Sequence, residues 1–174
     1  MVLKIPSAWH IVYSIAMAIA CFISYLIITQ VLSLFVDKST ILLGGMWAVV
    51  ATVFVFKDTR EHSLAAGGAR LAATLVSFAL CSLYLSFFPP TGAGTALVIG
   101  FGTLVLIMLS LQEDITTAGI TTAVIMVVAI MDPEHARQQP VLRLIDTLIG
   151  IAVGVACKWA ASFLFYKIIG EEPR

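Results

Sequence analysis

Long, mainly apolar runs alternate with short polar segments along the chain, and this pattern indicates the fold class. Six runs come close to the roughly 20 apolar residues that cross a bilayer. They extend over 11–36, 40–56, 63–88, 95–111, 115–131 and 141–167. Such runs are too long for the strands of a membrane barrel, and an open sheet would leave backbone groups unpaired in lipid. The pattern predicts an all-α integral membrane protein with six transmembrane helices.

The connections between the runs carry turn-forming or charged residues. The segments 37–39 and 112–114 are short polar turns, and we expect the second to cap the following helix with its carboxylates. The paired prolines and the glycines of 89–94 divide an apolar stretch that is too long for one crossing. The segment 57–62 and the longer 132–140 are the remaining charged connections.

Composition leaves little of the chain for water. Hydrophobic residues make up 60% of the 174 positions, charged residues 11%, and the mean hydropathy is +1.05. We therefore expect one six-helix transmembrane domain over 1–174 with no soluble domain, and a first span that is retained rather than cleaved. The formal net charge of zero gives no basic face for nucleic acid.

No residue pattern indicates catalysis or a cofactor. The three cysteines and three histidines are isolated from one another, so neither a disulfide framework nor a metal site is predicted. The sequence contains no nucleophile–base arrangement, phosphate-binding glycine loop or nucleotide fingerprint. We expect no enzyme activity, no metal and no cofactor.

The distribution of lysine and arginine predicts that both termini are cytoplasmic. Basic side chains are more numerous on the side of the termini, where they favour the cytoplasm. That side would hold Lys4, Lys57, Arg60, Lys167 and Arg174, and the far side Lys38, Arg137 and Arg143.

One ten-residue pattern occurs twice. Residues 70–79 and 143–152 both read R-L-x-x-T-L-x-x-x-A, at a constant offset of 73. Three spans separate equivalent positions, so the second copy is inverted. The sequence predicts two inverted three-helix repeats, about 8–88 and 94–168, with a transport pathway between them. Arg70 would lie toward the cytoplasmic side and Arg143 toward the opposite side.

The two repeat arginines are the main candidates for an anion pathway. An arginine at a helix centre costs roughly 2.5–3.5 kcal/mol to insert, so each needs a reason to be there. Either they attract a permeating anion, or they are interfacial anchors that extend to lipid headgroups. Thr74 and Thr147 follow them by one turn and are either substrate contacts or hydroxyls bonded within their own helix.

Several other charges have two readings each. Asp146 lies three residues after Arg143 and is either a proton-coupling group or the partner of a neutral ion pair. Asp58 and Asp132 either cap the connecting segments or pair with the repeat arginines. Lys158 either marks the interface where the hydrocarbon core ends or lies on the pathway. Lys57 and Arg60 are further candidates for pathway or interface charges.

Three segments carry a resemblance to a known family. Residues 44–49, with Trp47, residues 66–75 and residues 143–154 resemble the membrane unit of the fusaric acid resistance and aromatic acid exporter family. The similarity covers roughly 30–165, and the plant aluminium-activated malate transporters look like distant relatives. It implies efflux of aromatic or other organic acids across a bacterial inner membrane by a homo-oligomer, a dimer or larger.

Longer members of the family carry a large cytoplasmic portion, which this sequence does not include. The resemblance therefore also implies a periplasmic adaptor or a separate cytoplasmic subunit as a partner. Our hypothesis is an exporter of organic acid anions, with proton coupling through Asp146. The alternatives are a passive anion channel and a small membrane subunit that assembles with a partner without transporting anything.

Overall fold

Six α-helices make up most of the protein. The computed structural model describes residues 8–34, 36, 38–57 and 59–169, and no strand occurs among them. The helices are α1 (Ala8–Leu32), α2 (Lys38–Val55), α3 (Arg60–Phe87), α4 (Gly92–Met108), α5 (Ile115–Met131) and α6 (Gln139–Ile169). Two short 3₁₀ helices, Gln112–Asp114 and Ala136–Gln138, precede α5 and α6. The predicted all-helical class and the number of helices are confirmed.

Four of the helical segments are long and apolar enough to cross a membrane by length and composition. They are Trp9–Leu32, Arg60–Phe87, Gln112–Met131 and Ala136–Lys167. The other two apolar segments, Thr40–Val55 and Gly92–Met108, are shorter. Large apolar side chains are exposed on the helices, including Phe22, Leu97, Phe101 and Phe163. Such surfaces suit lipid rather than water.

The helix ends show which turn predictions hold. The connection at Pro89-Pro90 is non-helical, and the Thr91 hydroxyl accepts a hydrogen bond from Gly94 N at 3.1 Å to begin α4. Asp114 directly precedes α5 but makes no side-chain capping bond, so the predicted acidic cap is wrong. Pro140 is the second residue of α6 rather than part of the connection. Proline fits there because the first helical turn needs no backbone donor from it.

One compact unit comprises residues up to 67 together with 149 onward. It contains α1, α2, the first turns of α3 and the larger part of α6. Here α6 crosses α2 closely, because a Cβ added at Gly150 would lie 2.5 Å from Ala48 O and 2.6 Å from Ala51 Cβ. The Thr52 hydroxyl lies 2.9 Å from Ala48 O and 3.1 Å from Gly150 O at the same crossing. Because Gly150 has no side chain, the backbones of α2 and α6 can come into contact.

The second compact unit comprises residues 68–148. It contains the rest of α3, all of α4 and α5, and the beginning of α6. Its apolar core joins α3, α4, α5 and the 3₁₀ helix before α6 through Cys81, Leu85, Val98, Ile125, Met126, Ala129 and Ala136. The crossing of α3 with α5 is polar: the Ser77 hydroxyl lies 3.0 Å from both Ala73 O and Ala118 O. The candidate arginines belong to this unit.

Candidate functional site

A buried ion pair lies near the beginning of α6. Arg143 Nη1 donates to Asp146 Oδ2 at 3.2 Å, and only 5% of each side chain is exposed. The predicted spacing therefore brings the two groups together as expected. The other carboxylate oxygen, Asp146 Oδ1, is buried and has no hydrogen-bond partner within the described residues. An acceptor left in this state is costly to bury, so the pair is not the most stable arrangement its position allows.

Arg70 belongs to the same electrostatic site. Its side chain is buried on α3, and its positive charge acts on the guanidinium of Arg143. Two guanidinium groups and one carboxylate are thus concentrated in a buried part of this unit. Charges interact strongly there, because the surroundings screen them less than water does. The arrangement favours an additional negative charge.

The two arginines lie at different distances from the beginnings of their helices. Arg70 is ten residues into α3, or about 15 Å along its axis, and Arg143 is four residues into α6, or about 6 Å. Burial of both side chains argues against the reading as headgroup anchors, which would be exposed.

Buried hydroxyl groups accompany the arginines. Thr74 Oγ1 donates to Arg70 O at 2.9 Å, which is the bond within its own helix that the sequence reading allowed. Thr147 is buried one turn after Arg143. The sequence reading missed Ser77, Thr121 and Thr122, which are also buried in this unit. The spacing of 70, 74 and 77 on one face of α3 was the signal that could have identified Ser77.

Three further charged residues were candidates for the site: Asp132, Asp58 and Lys57. Asp132 Oδ2 is 3.0 Å from His135 Nδ1, and its Oδ1 accepts from His135 N at 3.4 Å. Of the two readings of Asp132, these contacts favour the cap of its own connecting segment. Asp58 lies outside the described residues. Lys57 is exposed, and its backbone N–H donates to Ser63 Oγ at 3.0 Å.

Arg60 and Lys158 are positioned by aromatic rings. The Arg60 guanidinium lies 5.8 Å from the ring centroid of Trp159. Lys158 is fully buried, and its Nζ lies 4.6 Å from the ring centroid of Trp9, 5.0 Å from Tyr13 and 5.6 Å from Phe56. Aromatic faces attract a cation within about 6 Å. Lys158 is therefore enclosed by the protein, and α6 continues as a helix to Ile169.

The chain matches a family model described as fusaric acid resistance protein-like over residues 19–157. That match covers well over half of the sequence and includes both arginines, Asp146 and both repeat threonines. The chain belongs to the fusaric acid resistance protein-like family. The resemblance inferred from the three sequence segments is confirmed. A function in membrane transport or resistance is what this family suggests.

Comparison with curated proteins gave no match, and neither did comparison with solved structures. The buried charges of this fusaric acid resistance protein-like chain are therefore interpreted from their own geometry. Among the described residues, no group of three or more histidine, cysteine, aspartate or glutamate side chains is arranged to hold a metal ion.

Proposed function

We propose that this protein transports organic acid anions across a membrane, with aromatic acids as the preferred substrates and export from the bacterial cytoplasm as the direction. The observation that carries the proposal is the buried cluster of Arg70, Arg143 and Asp146. A carboxylate entering this cluster would gain charge-assisted hydrogen bonds, which are about twice as strong as neutral ones. The cluster thereby repays the desolvation of a permeating anion.

Asp146 gives the proposal its link to protons. A substrate carboxylate and Asp146 would compete for Arg143, since both are negative groups of similar size. Protonation of Asp146 weakens its hold on Arg143 and favours the substrate, which couples anion binding to proton uptake. A passive anion channel is the second candidate, because the same arginines attract an anion without any proton. Anion flux driven by a proton gradient, with no anion gradient present, is expected of the proton-coupled transporter and not of the passive channel.

The inverted repeat is part of the proposal, and the helix crossings support it. Ser77 on α3 bonds to Ala118 O of α5, and Gly150 on α6 lies against Ala48 O of α2. Positions 77 and 150 differ by the repeat offset of 73, while 48 and 118 differ by 70. The next turn of α6 continues its contact with α2, since a Cβ added at Gly154 would lie 3.2 Å from Thr52 O.

The burial of side chains supports the same relation. Along α3 and α6, every member of six equivalent pairs is buried: 70 and 143, 73 and 146, 74 and 147, 77 and 150, 81 and 154, 85 and 158. In this arrangement the third helix of each repeat packs on the second helix of the other repeat. The two arginines are then equivalent positions of one ancestral helix, and only the second copy carries an aspartate, because Ala73 stands at the position of Asp146.

Location and assembly extend the proposal. We place the protein in the bacterial inner membrane with both termini in the cytoplasm, on the distribution of basic residues. From the family membership we also predict a homo-oligomer, together with a periplasmic adaptor or a separate cytoplasmic subunit as partner. A membrane subunit that does not transport remains the alternative if purified protein carries no flux.

Replacing Arg70 by glutamine tests the function directly. We expect benzoate flux in reconstituted vesicles to fall about tenfold or more, because a charge-assisted contact contributes roughly 1.5–3 kcal/mol. The matched control is Arg60→Gln, which removes an equal charge that packs over Trp159. Equal flux in Arg70→Gln and the parent protein, at equal protein levels, would refute the anion pathway.

Replacing Lys158 by leucine tests the repeat. Its equivalent in the first copy is Leu85, which packs in the apolar core of its own unit. We expect Lys158→Leu to unfold at a temperature equal to or above that of the parent, because a buried charge is exchanged for apolar packing. Lys158→Ala should be destabilised by about 2 kcal/mol, since it leaves a cavity instead. Thermal unfolding in detergent measures both, and a leucine variant as unstable as the alanine variant would contradict the equivalence.

A further inference from the structure

An open cavity of about 340 Å³ lies between the end of α3 and the 3₁₀ helix that precedes α6. Its walls include Phe87, Phe88, Pro90, Pro133 and Arg137. This volume falls in the range of about 300–1,000 Å³ that is usual for small-molecule sites. The walls combine two aromatic rings, rigid proline segments and one guanidinium.

The aromatic wall is held in place by its neighbours. The ring of Phe88 stacks on that of Tyr84 with centroids 5.4 Å apart, and Tyr84 OH donates to Pro89 O at 3.2 Å. Gly94 leaves room for the phenol, because a Cβ there would overlap Tyr84 OH. A ring fixed in this way binds a second ring at little cost in side-chain entropy.

The guanidinium of Arg137 is positioned for an anion. Its Nη2 lies 3.5 Å from Ser86 O across the cavity wall, which leaves most of its five N–H donors for other contacts. The nearby carboxylate of Asp132 is paired with His135 at 3.0 Å rather than with Arg137. Arginine presents a planar fork that matches both oxygens of a carboxylate.

We propose that this cavity is a binding site for aromatic monocarboxylates, with the carboxylate on Arg137 and the ring against Phe87 and Phe88. Arg143 follows Arg137 by six residues in the chain, near the beginning of α6. A role of the cavity in supplying aromatic acids to the buried cluster rests on the proposed function. The binding itself does not depend on transport.

Binding of benzoate to the full chain in phosphatidylcholine nanodiscs tests the site, with titration calorimetry as the readout. We expect Arg137→Gln to weaken benzoate binding about tenfold or more, and Phe88→Ala to weaken it severalfold. Hexanoate, which has the charge without the ring, should bind more weakly than benzoate by about threefold or more. Arg137 and Phe88 are exposed, so both variants should fold, and thermal unfolding verifies this.

Arg70→Gln is the control that separates this site from the proposed pathway. It should lower flux about tenfold or more and retain benzoate binding at the cavity. Benzoate binding that survives Arg137→Gln and Phe88→Ala in the Arg70→Gln background, or benzoate binding that vanishes only in Arg70→Gln, would overturn the cavity site and leave the transport proposal standing. If flux is unchanged in Arg70→Gln and benzoate binding is lost in Arg137→Gln, the transport pathway is refuted and the cavity site stands.

A lipid headgroup is the competing occupant with the same charge. Adding phosphatidylglycerol to the nanodiscs distinguishes it. We expect benzoate affinity to change by less than about twofold, because a headgroup has no ring for Phe88. The contrary result is that phosphatidylglycerol competes with benzoate in the parent protein and that this competition is absent in Arg137→Gln. That result would assign the cavity to anionic lipid and overturn the proposal.

Discussion

Replacing Arg143 by glutamine should destabilise the folded protein by about 3 kcal/mol and abolish transport of organic anions. The variant leaves the Asp146 carboxylate buried without the guanidinium that now bonds to it at 3.2 Å. Breaking one half of a buried pair costs about 3–5 kcal/mol in water-soluble proteins, and isolated charges in bilayers cost a similar amount. Chemical unfolding in mixed micelles measures the stability, and vesicle flux measures the function.

The double variant Arg143→Gln with Asp146→Asn separates the two effects. Without either charge, no uncompensated ion is buried, so most of the lost stability should return. Flux should not return, because the anion-binding guanidinium is still missing. If stability and flux recover together, the pair is a structural element and the anion pathway does not use Arg143. Asp146→Asn alone should retain anion flux and lose its response to a proton gradient.

Gly150→Ala should destabilise the protein by about 2 kcal/mol, although alanine is the better helix former by roughly 1 kcal/mol. The added Cβ would lie 2.5 Å from Ala48 O and 2.6 Å from Ala51 Cβ. One of these is a backbone atom that cannot turn aside, so α2 and α6 must separate. Separation also lengthens the contact between the Thr52 hydroxyl and Gly150 O. Thermal unfolding in detergent measures the loss.

Gly119→Ala is the matched control in α5. No atom lies within 4 Å of a Cβ built there, so only the helix propensity changes and the variant should be slightly more stable. Equal melting temperatures for Gly150→Ala and Gly119→Ala would show that the α2–α6 crossing is looser than the structure describes.

The sequence predicted the helices well, because each apolar run ends where backbone chemistry forces a turn. The predicted bounds of α5, 115–131, coincide with those observed, since charged residues stand on both sides of the run. The sixth helix begins two residues earlier than predicted, because proline is tolerated in the first turn. Asp114 adjoins α5 as expected, but the 3₁₀ turn at Gln112–Asp114 replaces the expected side-chain cap.

The partners of each charge were harder to predict than the charges themselves. The pair of Arg143 and Asp146 follows from spacing along a single helix, so it could be read directly. The surroundings of Lys158 could not be predicted, because its aromatic neighbours Trp9, Tyr13 and Phe56 are distant from it along the chain. Helical periodicity tells which face is buried and not which helix covers it. Contacts distant along the chain therefore required the structure.

The packing of α6 on α2 has a consequence for biosynthesis. The surface of α2 around Ala48 and Thr52 packs on Gly150 and Gly154, which the ribosome adds about a hundred residues later. During translation this surface of α2 leaves the translocon before α6 exists, whereas α3 meets α5 after only some forty residues. The second unit can therefore assemble while α6 is still being made, and the first must wait. Insertion should proceed in that order, with chaperones or translocon components shielding the small-residue face of α2 in the interval.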